Sequence, residues 1–113
     1  MKIETVFIKV KNINLSKKWY QNVLGLTVNW EDNEKKVVAF NCGETDLTLV
    51  QEQNPIPYND STFNILVNNI ESLHRQLSKK DILLSKIKQW NNIHYFELKD
   101  LDGNHLEFIS KVI

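Results

Sequence analysis

Thr5-Val6-Phe7-Ile8-Lys9-Val10-Lys11-Asn12-Ile13 reads against Thr62-Phe63-Asn64-Ile65-Leu66-Val67-Asn68-Asn69-Ile70 at an offset of 57 residues. Each stretch alternates as a half-buried strand does, then reaches an asparagine and a helical pattern. Further on, Gly43-Glu44-Thr45-Asp46-Leu47-Thr48-Leu49-Val50 matches Gly103-Asn104-His105-Leu106-Glu107-Phe108-Ile109 once the offset grows by about two residues and a turn position is gapped. Self-similarity of this kind marks a unit that cannot bury its apolar face alone. Two copies of that unit would supply the burial and leave a cleft between them.

The elements follow from the pattern. Residues 3–10 place Val6, Ile8 and Val10 on one face and Thr5, Phe7 and Lys9 on the other. Asn12 or Asn14 caps a helix carrying Leu15, Trp19, Val23 and Leu24, and Gly25 ends it. Strands follow near 26–31, 36–42 and 46–51, with turns at Asp32-Asn33 and Gly43-Glu44. After the Pro55-containing stretch, a strand at 62–68 leads to Asn69, which caps a helix with Ile70, Leu73, His74 and Leu77 in one stripe. Lys79 and Lys80 suit the end of that helix. Strands near 82–88, 93–99 and 104–110 complete the chain. The order is β-α-β-β-β, twice. The expected organisation is one domain of two modules, 1–52 and 61–113, joined by a linker over 53–60.

Composition bounds the function. A chain of 113 residues is one domain by size. Lys+Arg and Asp+Glu both count 14, so no net field draws nucleic acid or anionic lipid. No stretch approaches the roughly 20 apolar residues of a membrane span. Met1-Lys2-Ile3-Glu4 runs straight into a strand without the apolar core of a signal peptide, and a single cysteine, Cys42, excludes an intrachain disulfide. A cytoplasmic protein with neither nucleic-acid nor membrane partners is expected.

Asp100-Leu101-Asp102-Gly103-Asn104-His105-Leu106-Glu107-Phe108 resembles the "DPDGN…E" strand-turn-strand ending of the vicinal oxygen chelate superfamily. That superfamily holds glyoxalases, extradiol dioxygenases, fosfomycin-modifying enzymes and bleomycin-binding resistance proteins. Trp19-Tyr20-Gln21-Asn22-Val23-Leu24-Gly25-Leu26 is similar to its other common signature, an aromatic pair followed by "LGL" at the end of the first helix. With the doubled order, the resemblance covers essentially the whole chain. It implies an α+β fold in which two tandem β-α-β-β-β modules form a curled mixed-sheet cup with the helices outside, and it implies a homodimer.

In the metal enzymes of the superfamily, side chains from the first and fourth strands of each module hold a divalent metal. Carried over by motif, those positions are Thr5, Thr48, Thr62 and Glu107. Threonine hydroxyls are poor ligands where imidazole or carboxylate is wanted. The expected cofactor is therefore none, with Glu107 the one residue able to serve a metal or act as a catalytic group. His74 reads as a helix-stripe residue, and His94 and His105 as residues flanking the last hairpin.

Strand alternation lists the cup lining. The residues expected to contact a ligand are Thr5, Phe7, Phe40 and Thr48 from the first module and Thr62, Asn64, Tyr95, Glu97, His105 and Glu107 from the second, with Lys9, Val38, Val50 and Leu66 beside them. The register that puts Phe96 and Leu98 on a face with Leu106 and Phe108 sets Glu97 opposite Glu107. Such a pair wants a cation, for which Lys99, Lys9 or a ligand amine would serve. Phe7, Phe40, Trp30 and Trp90 suit stacking. The favoured reading is a metal-independent protein binding a small aromatic or cationic molecule. The alternatives are a lyase or dioxygenase with a non-standard metal site, and a regulatory or partner-binding protein with a vestigial cup.

Overall fold

The computed structural model describes residues 1–57 and 62–111. The chain divides into two units, Met1–Pro57 and Tyr58–Ile113, both β-α-β-β-β. The first contains β1 (Thr5–Val10), α1 (Ile13–Leu24), β2 (Val28–Asp32), β3 (Val37–Phe40) and β4 (Asp46–Gln51). The second contains β5 (Asn64–Leu66), α2 (Ile70–Ser78), β6 (Lys88–Trp90), β7 (Ile93–Lys99) and β8 (His105–Lys111). Each has one four-stranded mixed sheet, ordered β1-β4-β3-β2 and β5-β8-β7-β6, with the first and last strands parallel and the other pairs antiparallel. Phe7 pairs with Thr48, and Asn64 pairs with Glu107. The sequence repeat is thus also a repeat of register. Together the modules make the α+β architecture that the resemblance implied.

In the first unit Asn12, not Asn14, is the cap: its side chain accepts from the Leu15 amide at 3.0 Å. Gly25 takes φ 69° and its N–H bonds the Tyr20 carbonyl, a left-handed ending that only glycine adopts without strain. With the cap at Asn12, the face turned to the sheet is Ile13, Ser16, Trp19 and Tyr20. The expected stripe is corrected at Leu15, which lies at the margin of that face and is 57% exposed. Tyr20 stacks on Phe40 with centroids 5.9 Å apart, over a floor of Ile8, Val10, Val38, Leu47 and Leu49. Fully burying a side chain of this size contributes about 1.5–3 kcal/mol, so this one layer anchors the unit.

The second unit repeats the plan. Asn69 accepts from the Ser72 amide at 3.0 Å, and Lys79 forms the other cap of α2. Ile70 and Leu77 are buried against Phe96, Leu98, Leu106 and Phe108, with the Phe96 and Phe108 rings stacked at 5.3 Å. His74 stays on the helix stripe as expected: its ring meets Phe96 edge-on, and Nε2–H donates to the Ser85 carbonyl at 2.8 Å.

Two strand placements differ from the expectation. The strand expected near 82–88 is broken. Leu84 bridges Leu98 in one register, whereas β6 pairs Lys88 with Tyr95 one residue out of step, and the chain between them is irregular. The strand expected over 62–68 is shorter: Thr62 precedes β5, although the Val67 amide still reaches the Ile109 carbonyl at 2.9 Å. The expected 53–60 linker lies in part outside the described residues. Among the described residues no helix is long and apolar enough to cross a membrane.

Candidate functional site

Each sheet has one face under its helix and one face left open. In the first unit the pairing register assigns Thr5, Phe7, Lys9, Asp46, Thr48 and Val50 to the open face, joined by Val37 and Ala39 from β3 and Trp30 from β2. Val38 and Phe40 are not there. Phe40 is fully buried under Tyr20 and Val38 is 3% exposed, which corrects their expected place in the lining. Val37-Val38-Ala39-Phe40 is apolar at every position, so it carries no alternation from which its faces can be told.

The open face holds a hollow of about 300 Å³ lined by Glu4, Thr5, Phe7, Trp30, Val37, Asp46, Thr48 and Val50. Phe7 and Trp30 are 68% and 51% exposed. Trp30 reaches this face through an irregularity in β2, between Val28 and Trp30. At the floor, Thr5 Oγ1 and Thr48 Oγ1 are 2.6 Å apart, and Thr5 Oγ1 also donates to the Asp46 carbonyl at 2.9 Å. Either hydroxyl can be the donor within the pair; with the Thr5 proton on that carbonyl, the donor is Thr48. Asn29 Nδ2 donates to Asp46 Oδ2 at 3.0 Å, and Lys9 lies 3.8 Å from Glu52. The Asn54 amide, bonded to Glu52 Oε1 at 3.1 Å, holds the Glu52 carboxyl below its ordinary pKa, with Lys9 and Lys11 adding to the effect.

The second unit's open face carries Asn64, Leu66, Tyr95, Glu97, Lys99, His105 and Glu107. Glu97 stands directly opposite Glu107, with His105 beside it, its Nδ1 3.4 Å from Glu97 Oε2. Asn64 Nδ2 donates weakly to Glu107 Oε1 at 3.4 Å, and Lys88 sits 5.9 Å from the centre of the Tyr95 ring. His94 turns toward Glu71, at 3.8 Å. A hollow of about 270 Å³ runs beside Leu83, Ser85, Glu97, Lys99 and His105.

The turn quoted for the resemblance has its own structural cause. Asp100 Oδ1 accepts from the amides of Asp102 and Asn104, both at 2.9 Å, and Oδ2 accepts from Asn104 Nδ2 at 2.9 Å. Gly103 supplies φ 81°. The motif builds the hairpin that sets Glu107 in register, and its aspartates need no metal to explain them.

The residues at the four positions implied for a divalent metal do not fit one. Thr5 and Thr48 bond one another, Thr62 is exposed ahead of β5, and Glu107 is the single charged donor of the set. Among the described residues, no three His, Cys, Asp or Glu side chains are grouped to hold a metal ion. Asp46, Glu4 and Val37 were missed in the sequence. Asp46 was within reach, since it lies two residues from Thr48 on one strand and must share its face.

The whole chain can be compared with known proteins. It superposes on an integron cassette protein from the mobile metagenome of the Halifax Harbour sewage outfall with a TM-score of 0.85, at 22% identity, covering 96% of this chain and 97% of that one. A lactoylglutathione lyase from Agrobacterium tumefaciens gives 0.79 at 18% identity, covering 96% and 92%. A superfamily member from Sphaerobacter thermophilus gives 0.83 at 16% identity, covering 98% of both chains. These likenesses establish the fold. Among curated proteins no sequence matches. The family model described as Glyoxalase/Bleomycin resistance protein/Dioxygenase superfamily matches residues 2–108. The repeat in register, the Asp100–Asn104 turn and that match have one common explanation: the chain belongs to the glyoxalase/bleomycin resistance protein/dioxygenase superfamily.

Proposed function

We propose that this superfamily member is a small-molecule-binding protein that works without a metal. The observation that carries the reading is the Thr5–Thr48 hydrogen bond at the floor of a hollow walled by exposed Phe7 and Trp30. Two hydroxyls that satisfy each other offer a metal little, while exposed rings beside them give a ligand the apolar contact that small-molecule sites provide. Two exposed rings grouped beside one hollow form the kind of apolar patch that marks a contact surface. Elemental analysis of purified protein and thermal shifts against Zn, Ni, Mn and Fe(II) test it. A metal at 100-fold its dissociation constant adds about 2.7 kcal/mol, or a melting shift on the order of 10 °C. The expected result is no stoichiometric metal and no such shift; the opposite result overturns the reading.

A second reading rests on a different observation. Glu107, Glu97 and His105 stand together on the open face of the second sheet, a set able to accept and return a proton. It makes the protein a lyase or dioxygenase of the superfamily with a non-standard site. Turnover of a hemithioacetal or catechol substrate, lost in Glu107→Gln, would favour it.

A further inference from the structure

We propose that Lys9, Lys11 and Glu52 form an electrostatic strap that fastens the start of the connection between the two units to β1, and that this strap opens on its own while the core of the first unit stays intact.

The strap begins where β4 runs out. The pairing with β1 ends on the Glu52 amide, which donates to the Val10 carbonyl at 2.8 Å. Beyond it, Pro55 and Pro57 have no N–H to give, which disfavours a longer strand. Side chains take over. The Lys11 ammonium donates to the Gln53 carbonyl at 3.0 Å and also to the Asn54 carbonyl. Glu52 Oε1 accepts from the Asn54 amide at 3.1 Å, and Lys9 Nζ lies 3.8 Å from Glu52 Oε2. Gln51 Oε1 accepts from the Ile13 amide at 3.0 Å, which ties the same end of β4 to the start of α1. The Asn54 amide, with Lys9 and Lys11 behind it, holds the Glu52 carboxyl below its ordinary pKa and so charged at neutral pH.

The second unit shows that the repeated fold does not itself require these contacts. By register, Leu66 and Asn68 stand where Lys9 and Lys11 do, and Ser110 and Lys111 where Gln51 and Glu52 do. That set has no cation on its first strand and a cation in place of the carboxylate. The strap belongs to the unit whose last strand leads on to the other. Its parts lie at the surface, with the Lys9 side chain 65% exposed. Exposed charge contacts are screened by salt and give way before a core such as Ile8, Val10 and Leu49 does.

The test is native-state cleavage after Glu52 by a glutamate-specific protease, followed by mass spectrometry and normalised to cleavage of a peptide of residues 46–57 in the same buffer. Lys11→Met removes the charge and keeps a long side chain. It is expected to speed that cleavage about tenfold, the effect of losing two charge-assisted bonds at an exposed site, while cleavage after Glu31 and Glu97 stays as it was. Lys11→Arg should retain most of the protection, because a guanidinium can still donate to two carbonyls. Lys9→Met should do less than Lys11→Met, its ion pair being the longer contact. Added salt should bring the wild type toward Lys11→Met and leave that variant almost unchanged. Exchange of the Asn54 amide with solvent, followed by NMR, should rise in the same order. Lys18→Met, on the exposed side of α1, is the control and should change nothing.

An unchanged rate in Lys11→Met, or an equal acceleration in Lys18→Met, overturns the strap. Acceleration after Glu31 and Glu97 in step with Glu52 overturns its independence, because the fold as a whole would then be opening.

Discussion

Thr5 and Thr48 are bonded diagonally across the parallel strands β1 and β4, hydroxyl to hydroxyl at 2.6 Å, and they are unequal partners. Thr5 has a second partner in the Asp46 carbonyl, whereas Thr48 is only 2% exposed. Removing the Thr5 hydroxyl strands a nearly inaccessible group. Thr5→Val is expected to cost about 1–2 kcal/mol and Thr48→Val about 0.5–1, with the double substitution below the sum. Urea unfolding of the three variants checks the order; a larger cost for Thr48→Val would reverse the assignment of donor and acceptor.

Asp100 ties the last hairpin through three hydrogen bonds from a site 8% exposed. Asp100→Ala removes all three acceptors and is expected to cost about 2–3 kcal/mol, lowering the melting temperature by about 10 °C or more. Asp100→Asn keeps one oxygen and should fall between. Calorimetry of both variants decides whether the turn is the scaffold described above.

Glu97 and Glu107 face each other across β7 and β8. Glu107→Gln should therefore stabilise the chain by about 0.5 kcal/mol at low ionic strength, with the gain fading in salt. Glu97→Gln should gain less, because it also gives up the His105 contact. Identical gains from both variants would show that His105 contributes nothing to the cluster.

Burial pushes the Cys42 thiol above its ordinary pKa. The folded state then holds its proton more tightly than the unfolded chain, so the contribution to stability is full below about 8.5 and is lost as the pH rises through the higher folded value. Cys42→Ala should flatten that alkaline decline, and iodoacetamide should label the native thiol much more slowly than the urea-unfolded one. Glu52 has the opposite sign. Its lowered pKa gives stability that is present above about 4.3 and lost as the pH falls through the folded value. Glu52→Gln should blunt the acid side of the profile, read by melting temperature against pH.

Where side-chain type alternates, the sequence was readable. Polar residues between apolar ones in β1 and β8 gave their faces directly, and from them came the Glu97–Glu107 opposition. Asn69 declared the start of α2, and Asn12 or Asn14 that of α1, because asparagine side chains compete with the backbone for its amides. Val37–Phe40 was opaque for the opposite reason, and Leu15 was misplaced because its i, i+4 spacing from Trp19 does not tell the centre of a stripe from its exposed margin. The broken strand before β6 was hidden because a change of register leaves composition untouched. His105 beside Glu97 was not legible, since that contact depends on rotamers and not on spacing.

The parallel pairing of first and last strands has a consequence for how the chain is made. β1 is made before β4 and cannot find its neighbour until β4 has been synthesised, with Thr5 and Thr48 separated by 43 positions; Asn64 waits for Glu107 over the same distance. Each sheet is therefore closed by its most distant contact, the slow step in folds of this kind. A nascent chain stalled before Asp46 would hold β1 with one edge open and the future floor of the hollow half built. Synthesis itself sets the order, and the open face is the last part of each unit to be completed.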